Sequence, residues 1–361
     1  RRSPLTAESR VRFPDPSLHE LQVFLELFVC SFFVWMKPQM CRRGERCIGC
    51  HGIVLPKIYQ NPRIYAKVCS MLKIRRTGAT PVMDIIKTEN PDGSELLYMQ
   101  LPAIRATGIV EHAFSTRIGG TSQGIFSSMN LRFGHGDEDV RVRENFHRIA
   151  AVLGTDEAHM VLTKQTHTTN VRVVTAADAG YGVVRERPYD DVDGLITDVP
   201  GLALGIFAAD CVPLLFVDPV HHAIGASHSG WRGTVKRMGE VTIRAMQSTY
   251  GTVPSDLICA IGPSICRDCY EISEDVAQHF MAAFPGHAAE ILRDDGLNAA
   301  GEQKYHLDLW AANRIVLEEA GVPAAQISTT DICTNCNPEL LFSHRYTHGL
   351  RGNNGVFIML K

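Results

Sequence analysis

The chain has 361 residues, 45% of them apolar, and a formal net charge of −3. That apolar share is ordinary for a soluble globular protein, and a charge so near zero leaves no electrostatic footprint for nucleic acid. Eleven cysteines in a chain of this length are too sparse for a disulfide scaffold, so the expected setting is the cytoplasm, with reduced thiols.

Charge and cysteine are unevenly spread. Residues 1–80 carry fourteen Lys and Arg against five Asp and Glu, while residues 81–361 carry 22 against 34. Five of the eleven cysteines also lie before Thr80. This shift places a boundary near Thr80-Pro81, between a basic, Cys-rich extension (1–80) and one large domain (81–361). Leu21 to Met36 is an apolar run interrupted by Glu26, shorter than the ~20 residues a membrane helix needs. Lys37 and Pro38 follow it, not a signal-peptide cleavage site, so no membrane association is expected. Cys47-Ile48-Gly49-Cys50-His51 matches the haem-attachment pattern, but nothing near it looks like a cytochrome. The extension is expected to be disordered, and one reading makes it translated upstream sequence with the natural start at Met71 or Met83.

From Pro81 the elements follow in order. Asp92-Gly93 predicts a hairpin turn between Ile85-Ile86 and Leu96-Leu97-Tyr98. Arg117 leads into the glycine-rich stretch Gly119-Gly120-Thr121-Ser122. Asp137 is expected to cap a helix running to Gly154, since Val142, Phe146, Ile149, Ala150 and Leu153 recur at helical spacing. Met160 to Thr163, Val171 to Thr175 and Gly194 to Thr197 read as strands. Between Leu202 and Thr234 lie two apolar runs, broken by Ala208-Ala209-Asp210-Cys211, and a third ending in His228-Ser229-Gly230-Trp231-Arg232-Gly233. Bounded by Asp, Pro and Gly, these runs read as buried strands, which puts Cys211 and His228 at neighbouring strand ends. Val235 to Tyr250 reads as a helix stopped by Gly251, and Leu257 to Ile261 as a strand emptying into Gly262-Pro263. Ser273 caps a predicted helix through Phe284, and Asp308 opens another that ends at Gly321. Ile327 to Ile332 and Val356 to Leu360 complete the strands. Strands and helices interleave without a strict βαβ rhythm, so the expected class is α+β, a single large domain with a mixed sheet core covered by helices.

A thiol and an imidazole at adjacent strand ends can form part of a metal site or a nucleophile–base pair. His167, Cys211 and His228 all fall at strand ends or strand-flanking loops, though they are widely spaced along the chain. A catalytic zinc takes three protein ligands and keeps one position open, but a buried cysteine is equally an ordinary core residue. Cys266-x-x-Cys269 and Cys333-x-x-Cys336 suggest a four-thiolate site. The stretch between the two pairs is several times longer than the usual ~15–20 residues, so reduced core or loop thiols are the favoured reading. Arg117, Arg232 and Arg345 sit in loops rich in Gly and Ser, where backbone N–H groups and guanidinium groups can hold an oxyanion together.

A series of motifs then occurs in order: Phe114-Ser115-Thr116-Arg117-x-Gly119-Gly120 with Asn130-Leu131; Gln165-x-His167; Asp193-Gly194-Leu195-Ile196-Thr197; Ala209-Asp210-Cys211-x-Pro213; His228-Ser229-Gly230-Trp231-Arg232-Gly233; Gly262-Pro263-Ser264-Ile265 with Cys269-Tyr270-Glu271; and Cys333-Thr334 with Phe342-Ser343-His344-Arg345. Over residues 100–361 the chain resembles the laccase-domain (multicopper polyphenol oxidase-like, peptidoglycan-editing-factor) family, whose members are mostly described as purine nucleoside phosphorylases with adenosine deaminase activity. The resemblance implies a zinc ion on His167, Cys211 and His228, with copper the weaker alternative. It also implies purine nucleosides and phosphate as small-molecule partners. Asp210 is the candidate acid/base beside Cys211, Arg232 the candidate phosphate ligand, and Arg117, Asn130 and Arg345 are candidate substrate contacts. Arg132-Phe133-Gly134-His135-Gly136-Asp137 departs from the family pattern, which leaves the role of His135 open. The competing functions are a metal-free Cys–His thiol hydrolase, a copper polyphenol oxidase and a non-enzymatic nucleoside-binding module. The oxidase is disfavoured because the chain contains no His-x-His.

Overall fold

The computed structural model describes residues 53–54 and 73–361. The apolar run at 21–36, the haem-attachment pattern and, apart from 53–54 and 73–80, the extension expected to be disordered (1–80) lie outside the described residues. The strands and principal helices follow one another as β1 (Ile53–Val54), β2 (Asp84–Glu89), β3 (Glu95–Gln100), β4 (Val110–Ser115), α1 (Asp139–Leu153), β5 (Met160–Leu162), β6 (Val171–Val173), β7 (Gly194–Thr197), β8 (Ala203–Ala208), β9 (Val212–Asp218), β10 (Ala223–Ser229), α2 (Trp231–Val235), α3 (Met238–Tyr250), β11 (Ile258–Ile261), β12 (Glu271–Ser273), α4 (Glu274–Ala283), β13 (Leu292–Leu297), β14 (Gln303–Leu307), α5 (Leu309–Glu319), β15 (Ile327–Thr329) and β16 (Asn354–Leu360). The expected α+β class with mixed sheets and covering helices is what forms.

The strands divide into a seven-stranded sheet, β1-β2-β3-β4-β16-β8-β5, and a six-stranded sheet, β15-β11-β9-β10-β7-β6; a small third sheet runs β12-β14-β13. Side chains alternate faces along a strand, and that alternation builds the layers. Val356, Ile358 and Leu360 of β16 share a buried cluster with Leu215 and Val217 of β9 and Ile224 of β10. Phe357 and Met359 face the other way and join Phe146 and Ile149 of α1. On β9, Leu214 and Phe216 turn instead to Ile243 and Met246 of α3 and Val316 of α5. The result is helix, sheet, sheet, helix. Each large side chain buried in these layers contributes about 1.5–3 kcal/mol.

Two local expectations change. Asp137 does not cap α1: Glu138 holds the cap position, and the Asp137 carboxylate accepts from Asn130 Nδ2 at 2.8 Å. The helix expected from Val235 starts at Trp231 and is interrupted, because Arg237 adopts φ 61° and pairs with Glu319 on α5 at 2.7 Å. Ser273 holds the cap position of α4 without a side-chain cap bond, its hydroxyl donating to Asp275 instead. Gly93 takes φ 79° in the β2–β3 turn, and Asp308 caps α5 by accepting from Ala311 N at 3.0 Å.

Residues 73–80, the described end of the basic extension, are tied to the domain. Arg75 N donates to Asn337 Oδ1 at 2.7 Å, Thr77 N donates to Asp331 O at 2.9 Å, and Arg76 pairs with the buried Asp331. Removing one partner of a buried, hydrogen-bonded charge leaves the other unpaired, at a cost of roughly 1–3 kcal/mol or more. A chain beginning at Pro81 is therefore expected to unfold at lower denaturant than one beginning at Lys73. Equal unfolding midpoints in urea would show that these bonds add nothing.

Candidate active site

His167, Cys211 and His228 are brought together by register and by two passages between sheets. The antiparallel pairing of β9 with β10 sets Pro213 opposite His228 and Val212 opposite Ser229, so Cys211, just before β9, lies beside the end of β10. The chain leaves β8 in one sheet and enters β9 in the other through Ala209-Asp210-Cys211. It makes a second passage from β5 to β6 through the loop that carries His167, held at φ 66°. Cys211 Sγ lies 3.8 Å from His167 Nε2, and the two imidazole rings meet edge to face at 4.9 Å. All three donor atoms fall within 4.8 Å of one another. Gly230 keeps this space open: a Cβ there would stand 2.9 Å from His167 Cδ2 and 3.0 Å from Cys211 Sγ.

Asp193 organises the trio. It is fully buried at the start of β7. Its carboxylate accepts from His228 Nδ1 at 2.8 Å, from the backbone N–H groups of Thr166, His167 and Thr168 at 2.9, 3.2 and 3.0 Å, and from the Thr168 hydroxyl at 3.1 Å. The His228 N–H therefore points at the carboxylate, and Nε2 is left free for a metal. The same anion draws the His167 loop into place.

These contacts shift the protonation of the pair. Burial opposes ionisation of the Cys211 thiol, but the His228 charge and hydrogen bonds from His167 and His228 pull it from 9.0 down to about 6. Burial likewise works against the His228 imidazolium, yet the Cys211 and Asp193 charges lift it to about 9. Between those values the metal-free pair is thiolate and imidazolium. A thiolate and two imidazoles, one oriented by a buried carboxylate, are a donor set that fits zinc.

Of the other sequence candidates, Arg117, Asn130, Arg345 and Asp210 make hydrogen bonds within the protein. Arg117 donates to Ser127 O and Pro338 O, both at 2.8 Å, and stacks on Phe342. Asn130 is fully buried; it donates to Arg132 O at 3.2 Å and accepts from Asn353 N at 3.0 Å. Arg345 donates through its guanidinium to Glu271 O at 2.9 Å. Both oxygens of Asp210, itself at φ 85°, are engaged: one accepts from Thr334 Oγ1 and the other from Arg345 N, each at 2.6 Å. Arg232 is exposed and lies over Trp231.

The groups that share a cavity with the trio come from elsewhere. The cavity, about 440 Å³, is bounded by His167, Cys211 and His228 and by Arg132, Arg187 and Arg351. His135 and Lys164 also border it. Burial lowers the pKa of Arg351, against the opposing charges of Asp210 and Cys211 and with the charge of Arg132, and its Nε is buried without a partner. His135 is pushed down by burial and by Arg132 and Arg351. Mutually repelling, partly desolvated cations beside a cavity are stabilised by an anion. Arg351 was discoverable in the sequence, since Arg351-Gly352 is the same Arg–Gly pairing that singled out Arg232. Asp193 also left a signal, as the last carboxylate of Asp190-Asp191-Val192-Asp193 before the apolar run Gly194-Leu195-Ile196.

Fold and site together define an α+β metal-binding protein whose donor trio opens on a cationic cavity. The chain belongs to the multi-copper polyphenol oxidoreductase laccase family, whose model matches residues 111–361. It is 36% identical over 252 residues to purine nucleoside phosphorylase YlmD of Bacillus subtilis, covering 69% of this chain and 87% of the relative. Adenosine deaminase RL5, from an unknown prokaryotic organism, is 36% identical over 235 residues, 64% of this chain and 87% of the relative. The crystal structure of YlmD from Geobacillus stearothermophilus matches with a TM-score of 0.67 at 32% identity, covering 73% of this chain and 96% of that one.

Two measurements test this geometry. Loss of a carboxylate that orients a metal-bound imidazole costs about 10–100-fold in metal affinity, and Asp193→Asn is expected to fall in that range by competition with a chromogenic zinc chelator. Unchanged affinity would remove Asp193 from the site. In metal-stripped protein the thiolate of Cys211 accumulates above about pH 6. Its alkylation by iodoacetamide, followed by peptide mass, should rise through that pH, and zinc should suppress it. A rise only near the ordinary thiol pKa would show that the His228 pairing does not form.

Proposed function

We propose that this chain is a zinc-dependent purine nucleoside phosphorylase that also deaminates adenosine. The observation that carries the reading is one cavity of about 440 Å³ shared by the donor trio and three guanidinium groups. That volume lies within the range of small-molecule sites, roughly 300–1,000 Å³. Its chemistry suits a ligand with one anionic and one nucleophile-accepting part. The named relatives act on purine nucleosides. Adenosine, inosine and S-methyl-5′-thioadenosine are the proposed substrates.

In phosphorolysis a phosphate oxygen bonds to C1′ as the C1′–N9 bond breaks. The electron pair leaves with the base, which takes up a proton, and the sugar leaves as its 1-phosphate. Arg132 and Arg351 would bind and orient the phosphate, with Arg187 and the exposed Arg232 as further cationic contacts. In deamination, water replaces the 6-amino group of adenosine and ammonia departs. His167, Cys211 and His228 would hold the zinc, which when bound supplies Lewis acidity and eases ionisation of water. Asp193 fixes the His228 tautomer. Asp210 sets the loop that carries Cys211, and its position next to that ligand keeps it the candidate proton carrier. Phe133 and Phe207 give the cavity an aromatic side against which a purine can lie.

Two alternatives draw on specific features. Cys211, His228 and Asp193 stand in the order of a thiol–imidazole–carboxylate triad, which would serve a metal-free hydrolase. The third donor, His167, favours metal, since a triad has no use for it. Polyphenol oxidation on several coppers needs further imidazole clusters; among the described residues the other candidate ligand group is four cysteines.

Phosphate is expected to stimulate release of hypoxanthine from inosine. Arg351→Ala should raise the phosphate KM at least tenfold, since a charged hydrogen bond is worth about 1.5–3 kcal/mol. His167→Ala should lose metal and turnover together. Base release independent of phosphate would indicate a hydrolase, and full turnover by metal-free His167→Ala would establish the triad.

A further inference from the structure

A second cluster lies away from the cavity. Cys266 and Cys269 follow β11, and Cys333 and Cys336 follow β15. Their four sulfurs all lie within 4.8 Å of one another, and none is in a disulfide. Cys269 Sγ and Cys336 Sγ are 3.4 Å apart. Four sulfurs at ~2.3 Å from one tetrahedral ion are separated by about 3.8 Å, so the cluster has the dimensions for a single ion.

We propose that Cys266, Cys269, Cys333 and Cys336 bind a structural zinc ion that joins the loop after β11 to the loop after β15. Each Cys-x-x-Cys lies at a short turn, the first closed between its two cysteines and the second one residue further on. Cys269 N donates to Cys266 O at 3.1 Å, and Asn337 N donates to Thr334 O at 3.3 Å. The backbone N–H of Cys266 donates to Cys333 Sγ at 3.2 Å, a hydrogen bond of the kind that stabilises a ligating thiolate. The two loops are already aligned through the parallel bridge between Ser264 and Cys333 and the bond from Thr334 N to Ser264 O at 3.1 Å. Isolated buried thiols behave as small apolar groups. Four that converge on one another from segments far apart in the chain, at the edge of a buried apolar cluster, make a soft tetrahedral donor set. Protein sulfur fills every position, so the site is closed and structural. On binding, each thiol releases its proton to solvent, and nothing is oxidised or reduced.

The position of the cluster gives the ion a consequence for the active site. Thr334, inside the second Cys-x-x-Cys, donates to one oxygen of Asp210. Arg345 donates its N–H to the other oxygen and braces its guanidinium on Cys269 O and Glu271 O. Asp210 immediately precedes Cys211. The tetrathiolate therefore clamps the two loops that hold the Cys211 loop in place.

The test is metal content of the full chain, prepared without chelator and measured by elemental analysis. Wild type is expected to carry one more zinc per chain than Cys269→Ser/Cys336→Ser. His167→Ala is expected to lose a different equivalent, so that combining the variants removes both. Should the double serine variant fail to fold, cobalt loading replaces it. His167→Ala and wild type should then both show the sulfur-to-cobalt absorption of a four-sulfur site, and Cys336→Ser alone should lose it. Equal zinc in wild type and Cys336→Ser would overturn the proposal, as would a Cys269–Cys336 disulfide in anaerobically prepared protein or absence of the four-sulfur cobalt spectrum.

Discussion

The active site depends on one buried carboxylate. Asp193 has no exposure to solvent, and its charge is matched by the His228 imidazole, three backbone N–H groups and a hydroxyl. A buried anion without such partners would cost several kcal/mol or ionise differently. Here the partners it recruits belong to the candidate site itself: the His228 imidazole, and the loop that presents His167. This accounts for a charged residue at the head of a strand that is otherwise wholly buried.

The second constraint is the seam between the sheets. Both the His167 loop and the Cys211 loop lie where the chain passes from the seven-stranded to the six-stranded sheet. Backbone at such a passage is released from the ladder of its first sheet before it joins the second. It can adopt positive φ, as His167 and Asp210 do at 66° and 85°. Those conformations are unfavourable for non-glycine residues, costing of order 1–3 kcal/mol each. They persist because Asp193 on one side, and Thr334 with Arg345 on the other, hold both loops. The strain turns a thiol and an imidazole toward one point.

The cationic lining follows a different logic. Arg117 and Arg345 satisfy carbonyl oxygens and so behave as internal braces. Arg351 also donates to a carbonyl, Gly352 O, but its Nε is buried without a partner and it lies near Arg132 at the cavity, which leaves part of its hydrogen-bonding capacity to a ligand. Distinguishing a brace from a binding group requires knowing where the surrounding carbonyls are, and a sequence does not display them.

Much of the molecule was legible in order of residues alone. Periodicity placed the β2–β3 hairpin, α1 and the buried strands β9 and β10, because apolar spacing and turn residues act within a few positions. The pair Cys211 and His228 could be placed together, since two adjacent strands joined by Asp218-Pro219 and a short turn have little freedom of register. The division into two facing sheets was not legible, because a continuous apolar run shows that a strand is buried on both faces but not which partner covers each. For the same reason only the tertiary structure revealed that Asp193 joins His228 to the His167 loop. It alone showed that Arg351 reaches the cavity, and that two widely separated Cys-x-x-Cys pairs close on one another. Each of these is a contact between segments distant along the chain. Such contacts are chosen by the packing of whole layers, while local sequence acts only on its own neighbourhood.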